Sequence, residues 1–131
     1  MKKITLKDLK KALEKSWSEE TAYQYKKRIL YLLDTGQSSL GQCCVTALIV
    51  QDYFGGQLKT ALIKIIGWHT WNQLPDGSEL DWTRNQFLEN VVVPQGKIAI
   101  RDRLLSYTNT RKRYKLLKQR VEEYLRNKGE A

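Results

Sequence analysis

The stretches "LGQCCVTALIVQDYFGG" and "GWHTWNQLPDGSELDWT" hold both cysteines of the chain, Cys43 and Cys44, and its one histidine, His69. Cys43 falls in the first turn of a helix predicted to begin near Gly41, where unpaired backbone N–H groups and the helix dipole favour negative charge. Such a position lowers a thiol pKa and makes the thiolate available as a nucleophile. Acyl transfer also needs a base and a group that orients the base. Cys44 points about 100° around the helix from Cys43 and is assigned to packing.

The turn between the two strands predicted around His69 decides whether an orienting carboxylate is within reach. Pro75-Asp76-Gly77 suits a three-residue hairpin loop, with a type I turn followed by a left-handed glycine. Leu74 then pairs with Ser78, Trp71 with Asp81, and His69 with Thr83. In that register His69 and Asp81 share a face as diagonal neighbours, roughly 7–8 Å apart at Cβ or less. A two-residue loop at Asp76-Gly77 would instead place His69 on the opposite face. Each residue also has a plainer use: a cysteine in an apolar helix packs in the core, a lone histidine is hydrogen-bonded or exposed, and an aspartate before Trp-Thr caps a helix. The combination is what favours chemistry.

The elements that must position these groups follow from patterning. Ile4, Leu6, Leu9, Leu13 and Trp17 recur at helical spacing. "SEETAYQYKKRILYLLDTG" reads as a second helix, with Ser18 as its cap and Gly36 as its stop. The helix carrying Cys43 is apolar around most of its circumference, so it is expected to be central and buried, ending at Gly55-Gly56. From Leu58 the texture is that of strand, strand, turn, strand. "RNQFLENVVV" reads as a short helix capped by Thr83 and then an irregular segment ending at Pro94, "GKIAIRDRLLSY" fits strand or helix, and Tyr107 to Leu125 forms a helical stripe. Trp68, Trp71 and Trp82 suit either an apolar cleft or core packing.

The length of 131 residues and 41% hydrophobic content suit one domain, 1–131, with its motifs between about 39 and 87. Two adjacent cysteines cannot staple distant segments, and the N-terminus has no apolar signal core; both favour a cytoplasmic location. No stretch is long enough to span a bilayer. The formal charge of +9 would speed encounters with nucleic acid or acidic partners. Lys2, Lys3, Lys7, Lys10, Lys11 and Lys15 decorate the first helix, and Arg111, Lys112, Arg113, Lys115, Lys118, Arg120, Arg126 and Lys128 the last. Solvated helix faces account for this placement, and no nucleic-acid motif accompanies it. One histidine beside adjacent cysteines is poor zinc spacing and no phosphate-binding glycine loop is present, so neither metal nor cofactor is implied.

These motifs resemble a bacterial family of small proteins, the YunG-like family, whose pattern reads approximately GQC-x-V-T-A, then H-x-W-N, then D-G-x-x-x-D-x-T-x-x-Q-F. The matching residues are Gly41, Gln42, Cys43, Thr46, Ala47, His69, Trp71, Asn72, Asp76, Gly77, Asp81, Thr83, Gln86 and Phe87. A broader resemblance is to papain-like and transglutaminase-like thiol enzymes, in which a cysteine at the start of a buried helix precedes a histidine and then an aspartate or asparagine on adjacent strands. Trp82 stands where the transglutaminase-like pattern has proline. Gln37, six residues before Cys43, stands where papain-like enzymes carry an oxyanion-hole glutamine, with Gln42 or a backbone N–H as substitutes.

The expected fold is therefore α+β: terminal helices and a central buried helix packed on a small antiparallel sheet, with a papain/transglutaminase-like core. The expected site is a Cys43–His69–Asp81 triad for acyl transfer or amide hydrolysis, with Gln37, Gln42, Asn72 and Trp71 contacting oxyanion or substrate. The opposing readings are a non-catalytic regulator or inhibitor that grips a protein partner on a degenerate thiol-enzyme fold and, third, a nucleic-acid binder. The substrate and the oligomeric state are left open.

Overall fold

Apolar side chains on nearly every face bury the helix that carries Cys43 in the middle of the molecule. In the computed structural model, which describes residues 3–128, this helix is α2 (Cys43–Phe54), and Val45, Leu48 and Ile49 are wholly shielded from solvent. Lys2 lies outside the described residues. On one side α2 packs with α1 (Leu6–Ser16) and the C-terminal helix α4 (Thr110–Asn127). Leu9, Leu13, Val45, Ile49, Leu117, Val121 and Leu125 interlock there. α1 begins at a capping box, in which the Thr5 hydroxyl accepts from the Asp8 N–H and the Asp8 carboxylate accepts from the Thr5 N–H. Such a cap is worth about 1 kcal/mol.

Four antiparallel strands form the sheet in the order β3-β2-β1-β4: β1 (Gln57–Ile63), β2 (Gly67–Gln73), β3 (Glu79–Leu80) and β4 (Lys97–Ala99). α2 stops at Gly55, and β1 follows at once because Gly56 adopts φ +80° in a space where a Cβ would sit 2.2 Å from the Gln73 carbonyl oxygen. The Asn72 amide donates to the Ala47 carbonyl at 2.9 Å, pinning α2 to β2 one helical turn from Cys43. The α+β class and the antiparallel sheet are thus those expected. The segment left between strand and helix is both, β4 and then α3 (Arg101–Leu105).

The second N-terminal helix expected from Ser18 to Gly36 is absent. Short 3-10 turns, Glu19–Thr21 and Lys27–Leu32, flank an extended stretch. Tertiary pairing overrides local propensity here: the Tyr23 N–H donates to the Gly41 carbonyl at 2.8 Å, and Leu33 bridges to Phe87. Ile29 and Leu33 then pack with Ile63, Ile66, Phe87 and Val91 in a second apolar cluster. The short helix expected after Thr83 is a single 3-10 turn, Arg84–Gln86, and irregular chain follows it. No helix among the described residues is long and apolar enough to cross a membrane.

Candidate active site

The hairpin closes with the three-residue loop. The Leu74 N–H donates to the Ser78 carbonyl, the Gly77 N–H donates to that of Leu74, and Asn72 pairs with Leu80. The ladder ends at Leu80, so Asp81 leaves the strand and turns back toward β2. Its Oδ2 meets His69 Nε2 at 2.6 Å. The other carboxylate oxygen accepts from the Thr83 backbone N–H at 3.2 Å and from the Thr83 hydroxyl at 3.3 Å. Asp81 is thereby held from both sides with its carboxylate aimed at the ring.

His69 is fully buried, its ring stacked on Trp71 (centroids 5.4 Å apart) and met edge-on by Phe87 at 4.9 Å. With Nε2 taken by Asp81, Nδ1 is the nitrogen open to Cys43. It has no partner at full hydrogen-bond geometry, yet thiol and imidazole shift each other's proton affinity. Unliganded nucleophile–base pairs often show such a loose contact.

The electrostatics run in the directions an ion pair requires. Burial alone would raise the Cys43 thiol, but the hydrogen bond and charge of His69, together with the Thr70 backbone, hold it below the ordinary value. Burial alone would lower His69; the Asp81 hydrogen bond and the Cys43 contact outweigh it and raise the imidazole to about 9. Cys44 behaves oppositely to its neighbour, since burial and the adjacent Cys43 charge push it up to about 12. One histidine therefore separates two adjacent thiols chemically.

The backbone before Cys43 is fixed by its two predecessors. Gly41 adopts φ +77°, and a Cβ there would sit 2.4 Å from the Tyr23 carbonyl oxygen. The Gly41 N–H donates to Gln86 Oε1 at 3.0 Å, and the Tyr25 hydroxyl donates to the same oxygen at 3.1 Å. Gln42 is buried with its carboxamide bound at both ends, Oε1 to the Thr21 hydroxyl and Nε2 to the Ser18 carbonyl, each at 2.8 Å. Glycine, glutamine and cysteine in that order are what this corner demands.

The structure brings Cys43, His69 and Asp81 together, and it gives the other four expected site side chains structural partners. Gln37 bonds to Asp34 and Asn85. Gln42 locks the turn at Thr21, Asn72 holds α2, and Trp71 donates from Nε1 to Glu79 while supporting the His69 ring. The backbone donor at the sulfur is that of Thr70, and the first-turn N–H groups of α2 have no intrahelical acceptor. Sequence reasoning missed Thr83 and Gln86 as positioning residues, although both stand in the quoted motifs. It also missed Tyr25 and Thr70, which line a cleft of about 750 Å³ together with Cys43. Trp68 stands exposed in that cleft, whereas Trp71 is buried and Trp82 packs beside the α1–α2–α4 core.

Comparison with known proteins agrees with the motif pattern. The family model described as YunG protein matches residues 5–126. A relative described as uncharacterized protein YunG, from Bacillus subtilis (strain 168), is 34% identical over 83 residues, which is 63% of this chain and 63% of the relative's own length. No solved structure matches the chain significantly. The match along most of the described chain places this protein in the YunG family.

Proposed function

We propose that this protein is a cysteine-dependent acyl-transfer or amide-hydrolysis enzyme. Cys43 is its nucleophile, His69 its general base and acid, and Asp81 the group that orients and charges His69. The observation that carries the reading is the 2.6 Å contact between the Asp81 carboxylate and His69, whose other ring nitrogen is left open beside a cleft-lining thiol that it holds below its ordinary pKa. In the first half-reaction the Cys43 thiolate adds to the substrate carbonyl carbon, and the oxyanion lies against first-turn N–H groups of α2. His69 gives its proton to the departing group. Water, deprotonated by His69, then cleaves the thioester.

The order of cysteine on a buried helix, then histidine and aspartate on a following hairpin, supports reading the core as a reduced papain-like or transglutaminase-like one. The experiment is to trap the acyl-enzyme. Brief exposure to p-nitrophenyl acetate, followed by intact-mass and peptide mapping, is expected to place one acetyl group on Cys43, none on Cys44, and none anywhere in Cys43→Ser. Turnover of that adduct should slow in His69→Gln. Acetylation spread over surface lysines with Cys43 untouched would leave a non-catalytic binding protein as the better account.

A further inference from the structure

The cleft that holds Cys43 has a definite chemical character. Among the described residues lining it there is no aspartate or glutamate, while Arg103 and Arg113 both contribute. Four aromatic side chains, Tyr23, Tyr25, Trp68 and Tyr107, join them. Arg113 is oriented by bonds from its guanidinium to the Thr21 carbonyl and the Thr110 hydroxyl. Those bonds use two of the five guanidinium donors and leave the rest free. Arg103 has no ion pair or side-chain hydrogen bond among the described residues and stands exposed. A volume of about 750 Å³ falls in the range that encloses a small molecule or a chain end.

We infer that the cleft selects an acylated compound bearing a carboxylate beside an aromatic or large apolar group, the chemistry of an N-acyl amino acid. The inference rests on the acyl-transfer reading above and names its substrate class. The carboxylate pairs with Arg103 and Arg113, since guanidinium forks match carboxylates in geometry as well as charge. The apolar group lies among the tyrosines and Trp68. Cys43 sulfur adds to the amide carbonyl carbon, and the C–N bond breaks as His69 protonates the nitrogen. Water then cleaves the thioester, releasing a carboxylic acid beside the amine and restoring the thiol. The same chemical unit occurs in free conjugates and at the C-terminus of peptides.

The test is calorimetric titration of the Cys43→Ser chain with N-acetylphenylalanine and with its neutral amide. The carboxylate is expected to bind about tenfold more tightly, the scale of one charge-assisted hydrogen bond. That preference should shrink in Arg103→Gln, vanish in Arg103→Gln/Arg113→Gln, and fall as salt is raised. Should the double variant unfold, Arg103→Gln and the salt dependence decide. Equal affinity for the two probes, no binding of either, or a preference indifferent to both arginines and salt would overturn the inference. Alanyl-alanyl-phenylalanine binding more tightly than the free conjugate assigns the peptide terminus; the reverse assigns the small conjugate. Alkylation of the unaltered chain by iodoacetamide runs in parallel. Fast reaction at Cys43 without carboxylate preference overturns the substrate class and leaves the thiol site standing. Carboxylate preference beside an ordinary thiol overturns the acyl-transfer reading, and with it the ligand's standing as substrate.

Discussion

His69 Nε2 and Asp81 Oδ2 lie 2.6 Å apart although the two residues are twelve positions apart in the chain. The contact exists because Pro75-Asp76-Gly77 closes the hairpin with Leu74 opposite Ser78. A loop one residue shorter would reverse the face on which His69 stands. Thr83 completes the arrangement by holding the far oxygen of the carboxylate.

Asp81→Asn keeps the shape of the side chain and removes its charge. The His69 pKa should fall, because the Asp81 hydrogen bond is the largest cause that raises it. Alkylation of Cys43 near neutral pH should slow about tenfold, the change in thiolate population that a rise of about one pKa unit produces. The chain has one histidine, so a single ring resonance in a proton NMR titration reports the shift directly.

That resonance should titrate near pH 9 in the folded chain and near 6.5 in urea. A folded-state pKa raised above the unfolded one means that folding favours the protonated ring. The contribution of His69 to stability is complete below 6.5 and is lost as pH rises through about 9. The stability advantage of the unaltered chain over His69→Gln, measured by urea unfolding, should accordingly shrink across that window.

Gly41→Ala combines an unfavourable φ of +77° with a Cβ 2.4 Å from the Tyr23 carbonyl oxygen, and should cost about 2–3 kcal/mol. Gly77→Ala, at φ +91° with nothing within 4 Å, carries only the conformational term of about 1 kcal/mol. Thermal unfolding of the two variants should separate them clearly.

Gln42→Ala leaves the Thr21 hydroxyl and the Ser18 carbonyl without their 2.8 Å partners. Both groups keep each other as partners, the Thr21 hydroxyl donating to the Ser18 carbonyl at 3.0 Å, so the expected loss is the net worth of two hydrogen bonds, about 1–3 kcal/mol. Acyl-enzyme formation should persist in the folded fraction if, as proposed, the oxyanion is held by backbone N–H groups. A collapse of acylation in fully folded protein would assign Gln42 a role in binding the oxyanion.

Much of this arrangement was legible in the residues. The apolar circumference of Cys43–Phe54 marked a buried helix, Gly55-Gly56 its end, and the Pro-Asp-Gly turn its hairpin register. Residues 18–36 were not legible, because their apolar spacing suits a helix while their actual partners, Gly41 and Phe87, lie far along the chain. Gln37 and Gln42 illustrate the same limit for the site. Glutamine beside a cysteine suggests an oxyanion donor, and only the tertiary contacts reveal that both amides are bound to neighbouring loops.

The most direct measurement of the central claim is the rate of Cys43 alkylation by iodoacetamide as a function of pH, with peptide mapping to separate it from Cys44. A thiol held down by His69 should react throughout the neutral range, with its acid limb below the ordinary thiol pKa of about 8.5. Cys44, pushed up to about 12, should stay silent. A Cys43 rate that climbs steadily to pH 9, unchanged in His69→Gln, would contradict the assembled thiol site.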